Sequence, residues 1–397
     1  MTVVTTMSTR WPRIFLLWLC GVMAAMQFAK VSVAFQDLRM LYAVSSAKMG
    51  MVLSTVGMVG MVFGVTVGLF AAAIGYRRLL LWGLALGAVV SLLQSWMLPF
   101  PVLWLSRVFE GASHLAVVVA APTLIAANCG PRHRSVAMGL WSTFMGVAFA
   151  VTAALGSVLI SHMGIDGFPM LHAVGMAALW VATARLPDRS NATDARTSWP
   201  PLKTMVAQHV QIYTRLHTAL PGLCFFCYTA MAVALLTFLP QFAGKDGVLL
   251  AVLMPLLSIC GSLSAGWLAQ HWMPPMGLAR GAFGGIALAA VGAWLCTWAG
   301  ISMVPAALLL LFCAGLASGA VYASIPYLAH DSALQARANG AVVQMGNLGS
   351  TFGPPLFAAL LTSFGFTGVA IPVLAFALLG WALTGWAHRK KVSDQSH

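Results

Sequence analysis

The sequence predicts an all-α membrane protein: twelve transmembrane helices in two pseudo-symmetric six-helix bundles. Three observations predict it. Of the 397 residues, 60% are hydrophobic and 7% charged, against about 25% charged in a soluble domain, too few polar groups to cover a water-facing surface. Apolar runs of about 20 residues or more recur along the chain, the length a helix needs to cross a bilayer, rather than the ~10-residue alternating runs of a barrel. Basic residues gather in every second loop, the asymmetry that orients membrane helices.

The first run, roughly 14–36, follows Arg10 and Arg13 and has some look of a signal peptide. Its length of about 20 residues suits a span, and the symmetry of the chain needs it. Further runs at roughly 46–73, 79–98, 101–127, 134–162 and 168–186 complete a first set of six. A polar stretch with Pro187, Pro200 and Pro201 follows, in which "TMVAQHVQIYTRLH" reads as a short surface helix. A second set of six runs lies at roughly 218–243, 247–272, 278–299, 302–329, 336–364 and 367–387. The expected organisation is an N-terminus over 1–13, a bundle over 14–186, a linker over 187–217, a bundle over 218–387 and a tail over 388–397.

The net charge of +13 calls for no nucleic acid, because its placement follows the spans. Arg77 and Arg78 follow the second run, Arg132, His133 and Arg134 the fourth, Arg280 the eighth and Arg337 the tenth. The central stretch holds Arg185, Arg189, Arg196, Lys203 and Arg215, and the tail Arg389, Lys390 and Lys391. The alternate loops carry little: Asp37, Arg39 and Lys48, then Asp166, then Lys245 and Asp246. Both termini and the linker are therefore expected in the cytoplasm, in an inner or plasma membrane. The halves echo each other weakly. Gly164 and Gly167 answer Gly365 and Gly368, and "APTLIA" (121–126) answers "IPYLA" (325–329), as in a duplicated bundle.

The polar residues inside the runs are the functional candidates. "WLSRVFEGASHLAVVVAAP" (104–122) carries Arg107, Glu110 (the one glutamate of the chain) and His114 at a spacing that puts all three on one helix face. Gly111 beside them admits a close backbone. At about 1.5 Å per residue Glu110 lies near mid-membrane, where transporter sites lie. Burial and a neighbouring arginine act in opposite senses on its carboxyl, so it is a candidate proton carrier, with Arg107 tuning it and His114 as relay. The alternatives are a self-neutralising Arg107–Glu110 pair and a packing histidine. Lys30, with Gln27 a turn before it, either snorkels to the outer interface or joins Arg107 in a basic site that favours anions. Gln344 and Asn347 in the eleventh run either bind a polar ligand or hydrogen-bond between helices. Tyr228, Tyr322 and Tyr327 are candidate cavity residues. His330 and Asp331 read as a gate pair or as a solvated cap. Cys224 and Cys227 form C-F-F-C, which in a lipid-spanning run with no third ligand reads as packing. No phosphate-binding loop, His-Glu-x-x-His or Gly-x-Ser-x-Gly occurs, so no enzyme chemistry, metal or cofactor is implied.

Two motifs carry a family resemblance across essentially the whole chain. "GLFAAAIGYRR" (68–78) resembles the Gly-x-x-x-Asp-x-x-Gly-Arg-Lys/Arg loop of the major facilitator superfamily, with Gly68, Gly75, Arg77 and Arg78 in place and Ala72 where the family has its aspartate. "RVFEG" (107–111) resembles the fourth-helix arginine-x-x-x-glycine pattern. The resemblance implies a monomeric secondary transporter with alternating access. It assigns a cytoplasmic gate to the first motif, without its usual carboxylate latch, and proton coupling to the second. The fifth run lacks the Gly-Pro of drug/proton antiporters; Gly353-Pro354 stands in the eleventh instead. "AMGLW" (137–141) resembles the cyanate and nitroimidazole branch. The expected cargo is a small organic or inorganic anion moved with protons. The alternatives are an exporter of drugs or of a siderophore-like metabolite, and a non-transporting membrane sensor, for which the tail "AHRKKVSDQSH" leaves little room.

Overall fold

The computed structural model describes residues 9–130, 133, 137, 140–186, 207, 210–328 and 332–395. The linker over 187–206, the pair His330 and Asp331, and Arg132 and Arg134 lie outside them, as does the side chain of Arg337. The described chain is helical from end to end: α1 (Trp11–Val33), α2 (Phe35–Leu41), α3 (Ser46–Ile74), α4 (Tyr76–Gln94), α5 (Phe100–Ala127), α6 (Phe144–Arg185), α7 (Leu216–Phe238), α8 (Gly247–His271), α9 (Pro275–Trp298), α10 (Val304–Leu328), α11 (Ser332–Phe364) and α12 (Thr367–Gln395). Two short 3₁₀ turns, Leu239–Phe242 and Gly244–Asp246, join α7 to α8.

Local chemistry sets the helix ends. Proline stands in the first turn of α1 and of α9, where its missing N–H costs nothing. The Ser45 hydroxyl caps α3 by accepting from the Lys48 N–H at 3.3 Å. Gly75, at φ 92°, turns α3 into α4. Gly164, at φ 77°, breaks α6 into two helices, and Gly365, at φ 55°, turns α11 into α12. The Gly-x-x-Gly echo thus marks a positive-φ glycine at equivalent places, some 200 residues apart.

Ten described helical segments are long and apolar enough to cross a membrane. The fifth expected run is represented by the shorter apolar stretch Phe144–Gly156, and the eleventh lies in α11, which is not one of the ten. The burial pattern inverts that of a water-soluble protein. Trp298 and Leu288 are about four-fifths exposed, whereas Arg107 and Glu110 are fully buried. This is the distribution expected where lipid is the solvent.

Among the described helices, α1 and α4 each pack against both α5 and α6, and α3 lies along α5. α7 packs against α10, α11 and α12, α10 against α8 and α9, and α9 against α12. Extensive contacts of α3 with α11 and of α6 with α8 join these groups. The α3–α11 contact is close because α3 presents glycine there. A Cβ on Gly60 would fall 2.2–2.5 Å from the Asn347 amide group.

Candidate functional site

The polar residues of α1, α4, α5 and α6 converge on Glu110. It is the eleventh residue of α5, about 15 Å along that helix. Arg107, one turn earlier, pairs through Nη1 with Glu110 Oε2. Arg107 also donates from Nη2 to the Gln27 carbonyl of α1 at 2.7 Å and from Nε to the Val52 carbonyl of α3 at 3.3 Å. Lys30 reaches the same carboxylate from α1 and pairs with Oε1. Its ammonium also donates to Gln94 Oε1 at 2.7 Å and to Ser91 Oγ at 3.0 Å, so all three ammonium protons are engaged. Gln94 returns a bond from Nε2 to Glu110 Oε2 at 2.9 Å and donates to Ser106 Oγ at 2.8 Å.

The arrangement is one carboxylate bridging two cations, all buried. It holds a surplus of one positive charge where the local dielectric is low and Coulomb interactions are strong. Lys30 does not snorkel: it is 5% exposed and turned inward. The self-neutralising Arg107–Glu110 pair is present, but Lys30 makes it a triad. A cavity of about 30 Å³, large enough to admit water, reaches the triad at Lys30. Lys30 and Gln94 line its polar side, and Ala34, Leu103, Phe168 and Pro169 its apolar side.

His114 is buried on the same helix but serves another contact. Its Nδ1 lies 3.0 Å from the Ala24 carbonyl of α1, so that nitrogen carries the proton and donates, and its ring meets Phe28 edge to face at 5.2 Å. The imidazole wired to the triad is His172 of α6. Its Nε2 lies 2.8 Å from the Met23 carbonyl and its Nδ1 2.7 Å from Ser91 Oγ. Gln27 donates from Nε2 to Ser113 Oγ at 2.9 Å, while its Oε1 is buried without a hydrogen-bond partner.

The residues expected from the second half lie apart from the triad. Gln344 accepts from the Tyr213 hydroxyl at 2.7 Å and donates from Nε2 to the Met61 carbonyl of α3 at 3.1 Å. Tyr213 precedes α7, outside the membrane segments, and burial pushes its phenol up to about 12, so it remains a donor. Asn347 donates to the Val343 carbonyl of its own helix at 2.8 Å, within the α3–α11 contact. Tyr228 and Tyr322 flank Phe225, with ring centroids 5.4 Å and 5.2 Å from it. The Tyr228 hydroxyl faces Ser258 of α8 and Ser318 of α10. All three rings are only partly buried.

In the α3–α4 turn, Gly68 lies within α3, Gly75 makes the turn and Arg78 is exposed. Arg77 donates from Nη2 to the carbonyls of Leu186 at 2.8 Å, Ala184 at 2.9 Å and Thr183 at 3.3 Å. A cation on the final carbonyls of α6 satisfies groups the helix leaves open and complements its dipole.

Sequence reasoning passed over Ser91, Gln94, Ser106 and His172. The signal was available, since each interrupts an apolar run of spanning length and such residues pair inward. What the sequence lacks is the depth match that brings four separate runs to one point.

Residues 17–354 match the family model of the Major Facilitator Superfamily. A 3-(3-hydroxy-phenyl)propionate transporter of Escherichia coli (strain K12) is similar in sequence, 28% identical over 382 residues, which cover 89% of this chain and 90% of the relative.

Proposed function

The chain belongs to the major facilitator superfamily and is a multi-pass membrane transporter, not an enzyme; from that premise we propose that it is a proton-coupled secondary carrier of small organic anions of the aryl carboxylate class. The observation that carries this reading is the buried surplus of positive charge around Glu110. An anion entering such a site is attracted over several ångströms. A substrate carboxylate that displaces Glu110 from Lys30 or Arg107 leaves Glu110 to take up a proton. Anion and proton then move together, and the net charge of the site is conserved.

The relative's name supports the class of cargo, since an aryl propionate joins an anion to an aromatic ring. The partly buried Phe225, Tyr228 and Tyr322 group offers aromatic faces for such a ring. A lipophilic-cation exporter fits less well, because Glu110 meets two cations instead of standing alone in an apolar cavity.

The movement is alternating access between a bundle over 14–186 and a bundle over 218–387, with twelve spans in all, set in the inner membrane with both termini in the cytoplasm. The grouping of helix contacts supports that division. Ser32 and Thr237 meet through their hydroxyls, and Gln36 bonds to Gln241 at 3.2 Å; the Tyr213–Gln344–Met61 chain joins α3, α11 and the linker elsewhere. In this reading these contacts part and reform as the cavity changes sides.

The test is uptake by proteoliposomes of the monomeric carrier under an acid-outside gradient. 3-(3-Hydroxyphenyl)propionate, other aryl carboxylates, small inorganic anions and lipophilic cations are each offered. Accumulation of the aryl carboxylates above the equilibrium level, abolished by a protonophore, is the expected outcome. Transport confined to lipophilic cations contradicts the reading.

A further inference from the structure

We propose that His172 is the proton donor to Glu110 and that the Ser91 hydroxyl is the bridge between them. The inference rests on the reading that Glu110 takes up a proton, and it names a route that the Arg107–Glu110–His114 stripe does not contain.

The hydrogen-bond geometry defines the route. His172 Nε2 faces only an acceptor, the Met23 carbonyl at 2.8 Å, so that nitrogen carries hydrogen in either charge state. Nδ1 is therefore the site that gains or loses a proton, and it faces Ser91 Oγ at 2.7 Å. A hydroxyl has one proton to give and two lone pairs. Ser91 has three partners matching that capacity: it accepts from Lys30 at 3.0 Å, meets His172 at 2.7 Å and reaches Glu110 Oε1 at 3.3 Å. With neutral His172, the Ser91 proton points to bare Nδ1. With the imidazolium, Nδ1–H donates to Ser91 Oγ and the Ser91 proton turns to Glu110.

The transfer follows from this second arrangement. The Nδ1–H bond breaks as an O–H bond forms on Ser91, while the original Ser91 O–H bond breaks and an O–H bond forms on Glu110. Imidazolium and carboxylate become imidazole and carboxylic acid. The new Ser91 hydroxyl then points back to Nδ1, the arrangement of the neutral ring.

The charged groups around His172 are Lys30 from α1 and Arg107 and Glu110 from α5; α4 presents the neutral Ser91. A proton on His172 thus adds to an existing positive surplus, and passing it to Glu110 coincides with a cation becoming available to the substrate carboxylate. His114 is excluded from this chain because its Nδ1 is committed to the Ala24 carbonyl.

The test uses the full-length protein in proteoliposomes with 3-(3-hydroxyphenyl)propionate as probe. Ser91→Ala, which removes the bridge, is expected to slow pH-gradient-driven uptake about a hundredfold, as for loss of a positioned proton-transfer group. Ser91→Thr, which keeps a hydroxyl, is expected to recover most of that loss. His172→Gln is expected to slow uptake similarly and to flatten its dependence on external pH. A second measurement needs no variant. Infrared difference spectra of the wild-type protein on probe addition should show a protonated carboxyl band appearing together with imidazole bands that shift on ¹⁵N-histidine labelling. Folded Ser91→Ala and His172→Gln variants with wild-type rate and pH profile overturn the proposal, as does carboxyl protonation with no histidine signal. Absence of carboxyl protonation in the wild type overturns the prior reading of Glu110 and this one with it.

Discussion

Glu110→Gln is expected to destabilise the protein more than any other single substitution in the site. The carboxylate is the one anion between Lys30 and Arg107, and all three groups are buried. Removing one partner of a buried ionic cluster leaves uncompensated charge, at a cost of about 3–5 kcal/mol. Two facing cations remain here. Lys30→Met/Glu110→Gln, which removes one of them, should be more stable than Glu110→Gln alone, the signature of direct coupling. Thermal unfolding of the purified proteins in lipid nanodiscs measures both effects. A double variant no more stable than the single shows that Lys30 and Glu110 are not coupled.

The second large effect is functional. Lys30→Met should fold, because the Arg107–Glu110 pair that remains is neutral and retains the Gln27 and Val52 carbonyl contacts. The site nevertheless loses its surplus positive charge and with it the group offered to a substrate carboxylate. Charge-assisted hydrogen bonds contribute about 1.5–3 kcal/mol, so KM for an aryl carboxylate should rise about ten- to a hundredfold. Initial-rate uptake across a concentration series reads this directly. A folded Lys30→Met protein with wild-type KM assigns the lysine to helix packing alone.

The membrane character of the fold was legible because composition and run length are strong signals in a medium that leaves no backbone group unsatisfied. Gly164 and Gly365 were legible as an echo, and the structure gives the echo a cause in their positive φ. The α5 stripe was legible because helical spacing is local. Partner choice was not. Nothing in "RVFEG" says that Lys30, 80 residues away, completes the triad, or that His172 rather than His114 faces its hydrogen-bond chain. Those facts depend on how far each helix slides along its neighbours, and side-chain packing fixes that. Gln344 and Asn347 show the converse. Their mid-helix position fitted a ligand site and an interhelical contact equally well, and the close approach of Gly60 with the Met61 carbonyl places them in the contact.

The most direct measurement of the coupled-anion account is the external pH of weakly buffered proteoliposomes when 3-(3-hydroxyphenyl)propionate is added. Coupled entry of anion and proton gives alkalinisation on wild-type protein that tracks substrate uptake, about one proton per anion, and none on liposomes without protein. Uptake of the anion with no accompanying pH change would contradict it.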